Sequence, residues 1–178
     1  MAVVDAAAQC LEDVTVQMQK LRALAEGAVA QVTDEELFQH IDPESNSIAL
    51  LMRHVAGNLK SRFTDFLTTD GEKPDRYRDS EFEVPPGTTR ETVIADWDLG
   101  FGRLEATLAA LDPSDLLRDV HIRGERMTAM QALHRSLAHT SMHVGQIVML
   151  AKHLRGATWR TLSIPRGQSE TFTGPRRF

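Results

Sequence analysis

The chain has 178 residues and a formal net charge of −5, with 42% hydrophobic and 25% charged residues. This length predicts a single domain over residues 1–178, and the composition excludes disordered, collagen-like and low-complexity classes. A mildly acidic chain lacks the positive charge that general nucleic-acid binders use to neutralise phosphates, so no nucleic-acid partner is expected.

The sequence predicts a cytoplasmic location. A single cysteine, Cys10, cannot form an internal disulfide, which is typical of a reducing compartment. Residues 1–8 carry no basic region before an apolar stretch, so no secretion signal is expected. The longest stretch without Asp, Glu, Lys or Arg spans 136–151 and contains polar side chains. It is shorter than the ~20 apolar residues that a membrane span needs, so no membrane partner is expected.

The first long helix is predicted over 11–32. Apolar or small residues recur there at alternating steps of three and four, which places them on one stripe of a helix. Thr33 and Glu36 then have the spacing of a capping box, in which side chains and backbone amides at the helix start satisfy each other. The box predicts a short extra helix through Phe38.

Two further long helices follow with the same periodicity. Residues 48–66 form the second apolar stripe. Ser45 or Asn46 is expected to cap this helix, because a short polar side chain can accept from the free N-terminal amides. The third long helix is predicted to begin at Thr88, which has capping-box spacing to Glu91, and to end before the proline at position 113.

The fourth long helix is predicted between Thr128, with a capping box to Gln131, and Gly156, a natural terminator. The connection at 69–88 is long and contains proline and glycine, so it permits a crossover between helices. Residues 120–122 are expected to form a brief strand or an extended loop. The tail after Gly156 is expected to be irregular.

Four amphipathic helices, each with one apolar stripe, bury those stripes most economically against one another. The sequence therefore predicts an all-α fold, a four-helix bundle with a long crossover connection and an irregular C-terminal tail. No linker divides the chain.

Three histidines form a candidate metal site. His139 and His143 are four residues apart on the fourth long helix, so both imidazoles can point at one ion near the bundle interior. His54, beside the apolar stripe of the second long helix, is the best candidate for a third ligand. Three nitrogens on one side of a metal ion leave its other coordination positions open for water or substrate, as in catalytic sites. The remaining four histidines are interpreted as surface residues: His40, His121, His134 and His153.

A structural role for these histidines stays open, because a His-x-x-x-His pair also arises by chance. Asn58, one turn from His54, and Gln146, just past His143, are candidates for orienting a ligand or a water, or are ordinary polar contacts. The pair differs from the zinc motif in which glutamate follows the first histidine, because Thr140 stands at that place. A base would lie elsewhere or be a metal-bound hydroxide.

Other reactive side chains carry weaker patterns. Ser136 and Ser141 lack an evident base, and Cys10 is interpreted as a packing residue. Four arginines could bind an anion but are interpreted as solvated charges: Arg53, Arg62, Arg76 and Arg78.

These motifs together resemble the DinB-like superfamily, and more narrowly a bacterial branch described only as a domain of unknown function. The resemblance covers about residues 10–172. It rests on the following strings: His54 with Ala56-Gly-Asn58, His139-Thr-Ser-Met-His143-Val-Gly-Gln146, Asn58–Phe66, Thr69–Lys73, Arg78–Phe82 and Leu162–Ser169.

The resemblance implies a four-helix bundle that holds a divalent metal ion, zinc or nickel, on His54, His139 and His143, and that forms a homodimer. Characterised relatives use small thiols, such as bacillithiol or mycothiol, to form or rearrange thioether bonds. His139 stands where the thiol-dependent isomerases carry a glutamate, so their reaction does not transfer directly. The implied function is a metal-dependent transferase or hydrolase acting on a small molecule, such as a low-molecular-weight thiol. The alternative is a non-catalytic metal- or ligand-binding protein related to stress.

Overall fold

The structure is a computed structural model that describes residues 6–173, most of which are helical. The elements follow in this order: α1 (Ala6–Val29), α2 (Asp34–Phe38), α3 (Ile48–Phe63), α4 (Arg90–Ala110), β1 (Asp119–Ile122), β2 (Glu125–Thr128) and α5 (Ala129–Arg155). Short 3-10 helices span Arg78–Phe82, Pro113–Leu117 and Gly156–Thr158. The described part of the chain is therefore mainly helical, as expected, with one small sheet.

The four long helices contact one another through their apolar stripes. The most extensive interfaces join α3 to α4 and α1 to α5, and further contacts join α3 to α5 and α1 to α4. The largest fully buried side chains come from all four helices and include Met18, Leu51, Trp97, Phe101 and Ile147. Burying an aliphatic or Phe side chain of this kind contributes about 1.5–3 kcal/mol, so these stripes position the helices that carry the histidines.

Two helices end before their apolar stripes do. The stripe of the first long helix is predicted to run to residue 32, but α1 ends at Val29. The second is predicted to reach residue 66, but α3 ends at Phe63, and Asp65 has a positive φ of 49°. Val32 and Phe66 are nevertheless buried, because the chain keeps packing on the core after each helix ends.

The start of α4 lies one residue later than predicted. Thr89 is the N-cap, and its hydroxyl accepts from the backbone N–H of Thr92. Thr92 Oγ1 accepts in return from the N–H of Thr89 at 3.0 Å. The predicted box of Thr88 and Glu91 is wrong, because the hydroxyl of Thr88 donates instead to the carbonyl of Pro85 at 2.7 Å.

The cap of α3 also differs from the expectation. Ser47 is the N-cap, and its hydroxyl accepts from the N–H of Leu50. Neither Ser45 nor Asn46 caps the helix. The hydroxyl of Ser45 donates to Asp42 at 2.5 Å and so belongs to the preceding loop. The capping boxes predicted before α2 and α5 are both present, and a glycine with φ of 50° ends α5 as expected.

A β-hairpin precedes α5. Of the two alternatives expected at 120–122, a brief strand or an extended loop, the structure has the strand, as part of β1. It pairs antiparallel with β2, a strand that the sequence did not predict. Arg123 and Gly124 form the turn with φ values of 57° and 75°, as two-residue hairpins favour. Asp70 accepts from both of their backbone N–H groups, at 2.8 and 2.7 Å. The carboxylate therefore ties the 69–88 connection to the hairpin.

The described tail is irregular, as expected, and packs on α1. Gln31 donates to the carbonyl of Arg160 and accepts from its N–H, at 3.0 and 2.8 Å, and Leu162 lies over Gly27. Within residues 6–173, no helix combines the length and the apolar character that crossing a membrane requires. The expectation about a secretion signal rests partly on residues 1–5, which lie outside the described residues.

Candidate metal centre

Three histidine rings converge between α3 and α5. Nε2 of His139 lies 3.1 Å from Nε2 of His54 and 3.2 Å from Nε2 of His143. Two nitrogens bound about 2.0–2.1 Å from one zinc ion are about 2.8–3.4 Å apart at octahedral to tetrahedral angles. Both distances fall in this range, and the ligand nitrogens of all three histidines lie within 4.8 Å of one another, which is compatible with one shared metal ion.

The three rings differ in burial. His54 and His143 are buried, with 3% and 8% of their surface exposed, whereas His139 is half-buried. The helical spacing of His139 and His143 explains why both rings face α3. His139 is thus the most exposed of the three residues.

The ring of His54 is oriented by a short 3-10 helix. Nδ1–H of His54 donates to Oε2 of Glu81 at 2.8 Å, and the ring of Phe82 packs with its centroid 4.6 Å away. An ionised carboxylate can only accept hydrogen bonds, so the proton of the neutral His54 ring sits on Nδ1. The lone pair on Nε2 is therefore free and directed at the other two histidines.

The ring of His143 is oriented in the same way. Its Nδ1–H donates to Oε1 of Gln146 at 2.8 Å, which leaves Nε2 without a proton. Gln146 thus lies beside His143, where the sequence placed it. Asn58 is buried one turn from His54, but among residues 6–173 no hydrogen bond joins its side chain to the three histidines. Among the described residues, the structure therefore joins Gln146, and not Asn58, to a candidate ligand by a hydrogen bond.

Without a cation, the three Nε2 atoms cannot all be satisfied. Those of His54 and His143 are both acceptors, and a single N–H on His139 can donate to only one of them. Nδ1 of His139 is itself buried and has no hydrogen-bond partner among the described residues. Buried polar atoms without partners cost about 1–3 kcal/mol each, and such exceptions often mark a missing ion or water. A metal ion would accept all three lone pairs.

The surroundings favour the neutral form of His139 and His143. Burial lowers the pKa of His139 from 6.5 to about 4, and repulsion from His143 and His54 when charged contributes to the same shift. Burial also lowers the pKa of His143, although its hydrogen bond to Gln146 opposes this effect. Neutral imidazole is the form that coordinates metals, so these two rings are ready to bind near pH 7.

Glu81 is a site residue that the sequence analysis missed. Its side chain is buried and accepts two hydrogen bonds from the guanidinium of Arg76, each 2.8 Å long. Burial alone would raise the pKa of this carboxyl, but hydrogen bonds from His54 and Arg76 outweigh it and the pKa is lowered. Glu81 follows His54 by 27 residues across a loop, so no local periodicity connects the two.

A glycine in α3 makes room for this carboxylate. A Cβ at Gly57 would collide with Oε1 of Glu81. Gly57 lies one turn after His54, so Glu81 reaches the ring across the bare helix backbone. An isolated glycine inside an otherwise regular helical pattern is the one clue in the sequence, because it marks a place of close approach.

The interpretation of Arg62 and Arg76 as solvated charges is wrong. Both side chains are largely buried. Arg76 bridges Glu72 and Glu81, and Nη1 of Arg62 lies 3.0 Å from Oε2 of Glu72 without meeting hydrogen-bond geometry. The 69–88 connection folds over α3 and supplies these acidic partners, which a buried arginine needs.

The remaining candidates do not assemble a second site among the described residues. Cys10 packs against the core, in line with its interpretation. Ser141 donates to the carbonyl of Leu137 in its own helix, and the hydroxyl of Ser136 is buried without a partner, so neither contacts a base. The other four histidines are exposed, as expected: His40, His121, His134 and His153.

Comparison with known proteins identifies a family but no characterised relative. A family model described as "Protein of unknown function (DUF1572)" matches residues 5–168. This range includes all three histidines, Glu81 and Gln146. No curated protein matches the chain, and no solved structure matches it either.

Proposed function

The chain belongs to the DUF1572 family, and we propose that it is an enzyme that binds one divalent ion, zinc or nickel, through Nε2 of His54, His139 and His143. One observation carries the proposal: three Nε2 atoms converge while hydrogen bonds hold the protons of two rings on Nδ1. Imidazole nitrogens are ligands that both metals accept. We further propose that the four long helices form a DinB-like four-helix bundle around this centre.

The chemistry proposed is that of a small-molecule transferase or hydrolase. A divalent ion at this site would lower the pKa of a bound thiol or water and so make a nucleophile near pH 7. The chain's own contribution is to hold the rings, through Glu81 and Gln146, and to leave one side accessible at His139. All three ligands are neutral, which favours an anionic partner such as a low-molecular-weight thiolate.

A neighbouring cavity supports a small substrate. It has a volume of about 280 Å³ and is lined by Gln146, which also orients His143, and by Leu51, one turn before His54. Exposed Met149 and Asn46 of the preceding loop complete part of its wall. The cavity has room for a small organic group next to Gln146, on the Nδ1 side of His143.

We also propose that the protein is a homodimer. Met142 and Met149 are 55% and 60% exposed and lie one heptad apart on α5. Exposed large apolar side chains on one helix face are typical of protein interfaces. Light scattering of the wild-type protein and of a Met142→Glu, Met149→Glu double variant measures the mass, and a monomeric wild type would contradict this part of the proposal.

The alternative is a non-catalytic metal- or ligand-binding protein, and one observation favours it. Among the described residues, Glu81 is the carboxylate in contact with the histidines, and both of its oxygens are engaged by His54 and Arg76. It is therefore not free to act as a general base. The two functions predict the same metal content and differ in turnover.

Elemental analysis of the purified protein tests the site. We expect one ion per chain in the wild type and loss of the ion in His54→Ala, His139→Ala and His143→Ala. His134→Ala is the matched control, because His134 is exposed on the same helix as two of the ligands. Equal metal content in all variants would contradict the proposal. The metal-loaded protein is then tested for turnover with two sets of substrates: thiols together with electrophiles, and hydrolysable esters and amides. Metal-dependent turnover would support the enzyme over the non-catalytic alternative.

A further inference from the structure

We infer that Glu81 is the positioning residue for His54, and that it selects the tautomer in which Nε2 can bind a metal. The inference rests on the proposed function and deepens it. Its basis is the 2.8 Å hydrogen bond from Nδ1–H of His54 to Oε2 of Glu81, made where both side chains are buried. A hydrogen bond of this kind to a carboxylate fixes both ring orientation and tautomer in metal sites.

Glu81 is held in place from two sides. The guanidinium of Arg76 donates to both carboxylate oxygens at 2.8 Å, a paired geometry that fixes the plane of the carboxylate. The backbone of α3 at Gly57 forms the opposite wall, because a Cβ there would collide with Oε1. The acceptor therefore sits at a defined place before any ion binds.

The acceptor at Glu81 decides the tautomer. A carboxylate between Arg76 and His54 can only accept, so the ring must present Nδ1–H to it and keep Nε2 free. Oε2 accepts from both Nδ1 of His54 and Nη2 of Arg76, so a glutamine oxygen at that place could still accept from His54. Methionine has a similar length but offers Nδ1–H no comparable acceptor. A proton on Nε2 could instead be donated to Nε2 of His139, 3.1 Å away. The His54 proton would then move to Nε2, where it blocks metal binding.

Glu81→Met is therefore the test variant, measured by competition between the protein and a chelator for Co²⁺ and Zn²⁺. We expect affinity to fall about 10–100-fold, the usual effect of losing such a partner. Glu83→Met is the matched control, since Glu83 is exposed two residues away, and its affinity should stay within about twofold of the wild type. Unchanged affinity in folded Glu81→Met would overturn the inference.

Gly57→Ala tests the same contact without changing any charge. Its Cβ should displace Glu81 from His54 and also weaken Co²⁺ and Zn²⁺ binding, whereas Gly145→Ala, in open space on α5, should not. Wild-type affinity in Gly57→Ala would count against the inference. This variant also serves if Glu81→Met does not fold, because alanine is intrinsically favoured over glycine inside a helix.

Long-range ¹H–¹⁵N NMR of the histidine side chains reads the tautomer directly in metal-free protein. We expect the Nδ1–H form of His54 in the wild type and the Nε2–H form in Glu81→Met. An Nε2–H ring in the wild type would refute the role of Glu81 even if metal binds. Failure of the wild type to bind metal would overturn the proposed function, whereas binding with equal affinity in Glu81→Met would overturn only the inference.

Discussion

Replacing Gly100 by alanine should separate the two helices that form the most extensive interface of the fold. Gly100 lies in α4 against α3, and a Cβ there would be 2.7 Å from the carbonyl oxygen of Ala56 and 2.8 Å from its Cα. Both are backbone atoms, so no side-chain rotation can relieve the collision. The two helices would have to move apart by several tenths of an ångström at Ala56, which lies two residues after His54.

Two opposing effects determine the change in stability. Alanine is favoured over glycine inside a helix by about 0.5–1 kcal/mol. Overpacking at a close contact costs about 1–3 kcal/mol, so Gly100→Ala should lower the free energy of unfolding by up to about 2.5 kcal/mol. Gly102 provides the matched control, because it lies in the same helix and a Cβ there would point into open space. Gly102→Ala should therefore raise the free energy of unfolding by about 0.5–1 kcal/mol.

Urea denaturation, followed by circular dichroism on both variants and the wild type, measures these differences. At about 2–4 °C per kcal/mol for a chain of this size, thermal midpoints should also move in opposite directions. Equal free energies of unfolding for Gly100→Ala and Gly102→Ala would refute the predicted collision with Ala56, because the gain in helix propensity would then act alone at both positions.

Three further predictions concern the histidines and the loop that covers them. The lowered pKa of His139 means that the unfolded chain takes up a proton near pH 6.5 and the folded chain only near pH 4. The metal-free protein should therefore lose up to about 3 kcal/mol of stability as pH falls from 6.5 to 4, and His139→Gln should reduce this loss in denaturation curves. Metal ion at about a hundred times its dissociation constant should raise the free energy of unfolding by about 2.7 kcal/mol, an effect that a chelator reverses and His143→Ala abolishes. Asp70→Ala removes the acceptor for the backbone N–H groups of the hairpin turn. It should lower the free energy of unfolding, measured by urea denaturation, by about 1.5–3 kcal/mol. An unchanged free energy of unfolding would show that water replaces the carboxylate.

The helices and the histidine pair were predictable because both depend on local spacing. Alternating steps of three and four describe one face of a helix wherever that helix packs, and His139 and His143 share a face on any helix. Capping boxes at Thr33 and Thr128 are equally local. The capping box predicted at Thr88 was wrong because the adjacent Thr89 can cap the helix as well. The hydroxyl of Thr88 bonds instead to Pro85 in the preceding turn, which leaves Thr89 as the N-cap.

The sequence by itself established a mainly helical chain with a histidine pair on its last long helix, since each of these features is set by neighbours within one or two turns. The sequence also proposed His54 as the third ligand, but only the tertiary structure brought its Nε2 to 3.1 Å from that of His139 and laid the 69–88 connection over α3. That packing buries Arg62 and Arg76 and carries Glu81 to His54 across Gly57. Such contacts join residues separated by tens of positions, and their geometry depends on how the helices pack rather than on any repeating pattern along the chain.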